Sequence, residues 1–271
     1  MVQTLGIDNL TAARMLPPDI IRAAAAAEVH SVGLWLAPFL GGPAQERPIL
    51  TDKAMRGLTT QALRDHGVTC HLTSGWLLVP DSTIDDYRRK LDVSAELGAR
   101  YLCVVSRDPD MLRATDNAAA LCDLAAAAGM LVALEFSPNT EIAALGDAVR
   151  FIETVSREQM KLVIDALHLE RTGGTAVEVA ALPPGLLAFM QICDGPRGWF
   201  GRDAYRHESI FERMLPGQGE FPLQALLDAM PQEDFLVTAE VPLQRLEEQG
   251  VDDAARIKMV ADATRSLRAF R

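Results

Sequence analysis

Eight short apolar runs alternate with longer stretches of helical period from one end of the chain to the other, and this alternation limits the fold more than any other feature. The runs are QTLGID (3–8), SVGLWL (31–36), VTCHLT (68–73), YLCVVS (101–106), LVALEF (131–136), KLVID (161–165), LLAFMQICD (186–194) and FLVTAE (235–240). Strands separated by helices pair in parallel, because each return to the same sheet edge needs a crossover of a dozen residues or more. The helices between them are punctuated in the ordinary way: LPPDI opens the first and DD at 252–253 begins the last. The alanine runs at 23–28 and 124–130 suit small-residue helix faces packed on a sheet. Eight such units in 271 residues predict an α/β fold, a single (β/α)8 TIM barrel spanning 1–271. The runner-up, an open doubly wound sheet, calls for a glycine-rich phosphate loop after the first strand, where GIDNLTAA stands instead.

Charge and hydropathy narrow the partners. A formal net charge of −11 without a local basic patch disfavours nucleic acid. No run approaches the roughly 20 apolar residues that span a bilayer, and the first residues lack a secretory pattern, so no membrane partner and a cytoplasmic location are expected. Cys70, Cys103, Cys122 and Cys193 show no paired spacing and suit small buried hydrophobes better than disulfides or structural zinc. A homo-oligomer is left open.

In a parallel barrel the chemistry gathers at the C-terminal ends of the strands. The fifth run carries Glu135 there, the sixth Asp165, the seventh Gln191 and Asp194, and the eighth Glu240. Carboxylates closing apolar runs need a cation, a hydrogen-bond network or water. Glu135, Asp165 and Glu240, completed by the amide oxygen of Gln191, form an oxygen-rich set suited to one divalent ion, Mn²⁺ or Mg²⁺, with Co²⁺ also compatible. The competing structural role for each acid is a helix cap or loop acceptor.

These residues sit in motifs that resemble the xylose-isomerase-like TIM-barrel superfamily of sugar isomerases and epimerases, similar to ketose 3-epimerases and inosose dehydratase. The motifs are LVALEFSP (131–138), DALHLER (165–171), MQICDGP (190–196), LPGQGEFP (215–222) and VTAEVP (237–242). The resemblance implies a metal held by Glu135, Asp165, Gln191 and Glu240, with glutamine at 191 where many relatives carry histidine. It also implies a small carbohydrate-like substrate. The chemistry implied is isomerase or epimerase proton transfer beside a carbonyl through an enediolate, with keto-sugar or keto-cyclitol dehydratase (lyase) chemistry as the alternative. An endonuclease IV-like phosphodiesterase is a more distant alternative, opposed by the acidic charge and by only five histidines.

Within that expectation Glu135 and Glu240 are the acid/base pair, and His168, three residues beyond Asp165, hydrogen-bonds or protonates a substrate oxygen. Arg171, Arg197 and Arg213 are candidates for an anionic or polarised oxygen, the structural alternative for Arg171 being an ion pair with Glu170 or Asp165. Trp35, Phe39, Trp76 and Trp199 are candidates for an apolar wall, and His71 for substrate contact. The insertion RGWFGRDAYRHESIFER makes 195–215 a lid loop after the seventh strand.

Overall fold

The computed structural model describes residues 4–37, 47–231 and 235–267. Eight parallel strands close into a barrel in chain order: β1 Thr4–Asp8, β2 Ser31–Trp35, β3 Thr69–Leu78, β4 Tyr101–Ser106, β5 Leu131–Leu134, β6 Met160–Asp165, β7 Leu187–Ile192 and β8 Leu236–Ala239. Eleven α-helices are found among the described residues. They are α1 Pro17–Ala26, α2 Lys53–His66, α3 Ile84–Glu96, α4 Met111–Ala127, α5 Leu145–Val155, α6 Ala166–Arg171, α7 Ala176–Ala180, α8 Arg202–Phe211, α9 Leu223–Ala229, α10 Gln244–Glu248 and α11 Asp253–Arg265. The chain is therefore a single TIM barrel, as the alternation of runs requires. No helix among the described residues is long and apolar enough to cross a membrane.

Strand boundaries differ from the sequence reading where side chains leave the barrel wall. β3 runs on to Leu78 because Gly75, at φ 96°, carries a bulge between Thr73 and Trp76 that keeps pairing with β4. β5 and β8 stop one residue before Glu135 and Glu240, and both acids stand on the rim, their backbone N–H groups donating to Val104 O and Ile192 O of the neighbouring strands. The segment 195–215, expected as a loop, contains the helix α8. Gln3 and Phe39 lie outside the described residues.

Packing follows the barrel's two interfaces. Between strands and helices, Ala114, Ala118, Leu121, Cys122 and Ala125 of α4 are fully buried, the small side chains letting the helix lie close to the wall. All four cysteines are buried. Inside the barrel Leu72, Tyr101, Cys103, Ala133, Val163, Ala188 and Phe189 form a separate apolar plug, with the Tyr101 and Phe189 rings 5.3 Å apart. Above that plug the interior turns polar.

Candidate active site

Asp165 does two jobs from the end of β6. It caps α6, its Oδ1 accepting from the His168 backbone N–H at 3.0 Å, and this is why an apolar run closing in aspartate is followed three residues on by a fixed histidine. Its Oδ2 accepts from Arg213 Nη1 at 2.9 Å. The same guanidinium reaches Glu240 Oε2 through Nη2 at 3.0 Å, so Arg213 lies between two of the three expected carboxylates. Burial alone would raise the Asp165 carboxyl; the Arg213 charge and His168 outweigh it and hold it below the ordinary range. At Glu240 burial prevails over Arg213 and, with Glu135, Asp8 and Asp165 nearby, pushes the carboxyl well above its ordinary value.

Across the floor, Glu135, Asp165 and His168 each offer an atom within 4.8 Å of the others, a group able to hold a metal ion. His168 Nε2 is 3.3 Å from Glu135 Oε1, and its Nδ1 is 3.0 Å from the Tyr205 hydroxyl, which also meets Ser137 Oγ at 2.8 Å. Burial raises the Tyr205 hydroxyl, which keeps it protonated and able to donate. With Tyr205 donating to Nδ1, the Nε2–H faces Glu135. Three acidic groups set against one guanidinium leave an excess of acids at the floor, which a divalent cation would offset. Two carboxylates and an imidazole suit Mn²⁺, Co²⁺ or Zn²⁺ chemistry.

Gln191 sits in register between Asp165 on β6 and Thr238 on β8. Its Nε2 donates to Asp8 Oδ2 at 3.0 Å, while its Oε1 is buried without a hydrogen-bond partner, an orphaned acceptor of the kind a cation satisfies. Asp8 also accepts from Thr238 Oγ1 at 2.7 Å and meets His71 Nε2 at 2.8 Å, and His71 Nδ1 meets Ser31 Oγ at 2.9 Å. Glycine at 33 makes this possible: a Cβ there would stand 2.3 Å from Asp8 Oδ1.

The remaining expected residues divide cleanly. Trp35 and Trp76 line a cavity of about 570 Å³ above this floor, together with Glu135, His168, Arg213 and Glu240. His71 does not line it; it lies beneath the floor against Phe189, in the Asp8 network. Arg171 does not line it either. It makes two hydrogen bonds to Glu208, at 2.8 and 2.6 Å, donates to Gly198 O, and is flanked by the Phe200 and Phe221 rings. Glu208, rather than Glu170 or Asp165, is thus its partner. Arg197 is exposed and 3.4 Å from Glu170. Asp194 organises the loop after β7, accepting from the backbone N–H groups of Gly195, Gly217 and Phe221. Trp199 packs on Tyr205, its ring centroid 5.7 Å away.

Sequence reasoning passed over Asp8, Ser137, Tyr205, Arg107, Arg202 and Arg206. For Asp8 the signal was present, since QTLGID is an apolar run closing in a carboxylate like the others. Tyr205 lies in the insertion, where nothing in the sequence shows which residue reaches back to His168.

A closed parallel barrel with acids at its C-terminal mouth and residues of α8 lining the cavity above them has the layout of the (β/α)8 class. Within that class the chain belongs to the xylose isomerase-like TIM barrel family, whose profile matches residues 21–267. It is 25% identical over 178 residues to the inosose isomerase of Bacillus subtilis, covering 60% of this chain and 61% of that protein. It is 24% identical over 221 residues to the 3-dehydroshikimate dehydratase of Pseudomonas aeruginosa, covering 78% of this chain and 33% of that one. The chain thus spans less than two thirds of either relative. A solved structure of the IOLI protein with a bound zinc atom superposes with a TM-score of 0.76 at 17% identity, covering 97% of each chain. Isomerases and dehydratases are both among the relatives.

Proposed function

We propose that this protein is a metal-dependent enzyme that moves a proton next to the carbonyl of a polyhydroxylated keto compound. Isomerisation or epimerisation is the leading outcome, and loss of water from the same carbanionic species is the alternative. The observation that carries the reading is the meeting of Glu135, Asp165 and His168 at the barrel mouth, with Glu240 joined to them through Arg213. Glu135, Asp165, Gln191 Oε1 and Glu240 would hold the ion. His168, which stands in the same group as Glu135 and Asp165, competes with Gln191 as a donor in the other tautomer, with Nδ1–H donating to Tyr205 and Nε2 unprotonated. When bound, a divalent ion supplies stabilisation for negative charge growing on the substrate's oxygens.

The chain's own residues carry the proton. Glu240, whose carboxyl burial and neighbouring acids have raised, suits proton transfer to and from carbon, and Glu135 faces it as the other member of the pair. His168, fixed by Asp165 at its backbone and Tyr205 at its ring, presents Nε2 toward the floor and hydrogen-bonds a substrate oxygen or protonates a departing hydroxyl. Arg213 fixes the Asp165 and Glu240 carboxylates relative to one another. Trp35 and Trp76 supply an apolar wall, and α8 closes the mouth and excludes water. A phosphodiesterase would ask for several histidines at the floor; among the described residues His168 alone is placed there.

The test is exchange. Purified protein supplied with Mn²⁺ and inosose, 3-dehydroshikimate or a ketose in D₂O should place deuterium on the carbon beside the carbonyl, read by NMR. Substrate deuterated at that carbon covers internal return of the proton, which would show as a primary isotope effect. Turnover with neither exchange nor isotope effect would overturn the reading.

A further inference from the structure

Arginine is almost everywhere matched to an acid in this chain of net charge −11. Among the described residues, five arginines have no ion pair: Arg64, which donates to Gln61; Arg100, which lies over the Tyr101 ring; and Arg107, Arg202 and Arg206. The last three all line the cavity above Glu135 and Glu240. Arg107 follows β4 on one side of the opening. Arg202 and Arg206 come from the other, one turn apart on the face of α8 that carries Ile210, with Arg213 just beyond the helix end. Asp203 also reaches this rim, so three guanidinium groups against one carboxylate leave it positive over an acidic floor.

We propose that Arg107, Arg202 and Arg206 bind an anionic group of the substrate, a carboxylate or a phosphate ester. A neutral sugar offers three exposed guanidiniums only uncharged hydroxyl and carbonyl oxygens. An anion seated at the rim gains charge-assisted hydrogen bonds and points the carbonyl end of the molecule at the floor. This rests on the reading of the cavity as a keto-compound site and narrows its substrate from any polyhydroxylated ketone to an anionic one. Of the two ring ketones named for the relatives, 3-dehydroshikimate carries such a carboxylate and inosose carries no charge.

The purified full chain, before and after EDTA, is titrated with 3-dehydroshikimate and with inosose while the fluorescence of the wall tryptophans is followed. The expected result is binding of 3-dehydroshikimate tighter by roughly tenfold or more. That advantage should shrink with added salt and disappear in the triple variant Arg107→Gln, Arg202→Gln, Arg206→Gln, whose affinity for 3-dehydroshikimate falls far more than its affinity for inosose. All three positions are solvent-exposed, and circular dichroism establishes that the variant folds. Competition by inorganic phosphate and by acetate assigns the group: stronger displacement by phosphate marks a phosphate ester, by acetate a carboxylate. Equal affinity for the charged and neutral ketones, unmoved by the substitutions, overturns the proposal. Because binding is read without metal as well as with it, the two readings fail separately. Loss of deuterium exchange with the charge preference intact removes the proton-transfer reading alone, and the reverse removes the anion site alone.

Discussion

Asp8 and Gln191 stand 183 positions apart in the chain and share a hydrogen bond of 3.0 Å across the barrel interior. The bond decides which end of the Gln191 amide is free. A carboxylate accepts only, so it holds the NH₂ group and leaves Oε1 as the atom presented elsewhere. Asp8→Asn replaces one acceptor by a donor facing Gln191, Thr238 or His71. Mn²⁺ affinity measured by calorimetry should fall roughly 10- to 100-fold, the range for partners that orient a ligand. Unchanged affinity in a folded Asp8→Asn protein would show that Gln191 is not a ligand.

Replacing Glu135 or Glu240 with glutamine should weaken Mn²⁺ binding by roughly 100-fold and abolish deuterium exchange while the far-UV circular dichroism stays the same. Full exchange by either variant would exclude that residue from the site. Gln191→His should move preference toward Zn²⁺, Ni²⁺ and Co²⁺, since imidazole is the softer donor. Equal metal profiles for Gln191→His and the parent, with metal lost in His168→Ala, would assign the third donor to His168.

Barrel and floor are legible in the sequence to different depths. The eight runs give the architecture because a buried parallel strand must be apolar throughout, whatever its neighbours. Glu135, Asp165 and Glu240 are legible because a charge closing such a run is costly without a purpose. Arg171 and His71 are not, because their partners are remote: Glu208 lies 37 residues from Arg171, and Asp8 lies 63 from His71. The absence of an ion pair at Arg107, Arg202 and Arg206 is a property of the folded surface, invisible until the partners of the other described arginines are known.

His168→Ala should lower turnover by roughly 10²- to 10⁴-fold, the range for a positioned acid or hydrogen-bond donor. Tyr205→Phe should cost less and change the pH profile, because it removes the donor that selects the tautomer of His168 without touching Nε2. A Tyr205→Phe enzyme with the parent's pH profile would show that the hydroxyl does not set the histidine's state.

Glu240 gives the metal-free protein a pH dependence of definite sign. Its folded carboxyl titrates well above the unfolded value, so the folded state binds the extra proton between the two. Stability from this group therefore falls as pH rises from the ordinary glutamate range, about 4.3, through the raised value. Thermal unfolding of the parent should lose more stability over that rise than Glu240→Gln, and Mn²⁺ should raise the melting temperature more at pH 8 than at pH 5. Parallel pH curves for parent and variant would contradict the raised carboxyl.

The 2.3 Å that a Cβ at Gly33 would leave to Asp8 Oδ1 limits which substitutions the floor tolerates. Alanine or a larger residue at 33 would force the Asp8 carboxylate out of its present place. A side chain at 33 would have to displace Asp8, and with it the contacts to Gln191, Thr238 and His71. Positions 8 and 33 are thus sterically coupled: the carboxylate keeps its place only while 33 carries no side chain.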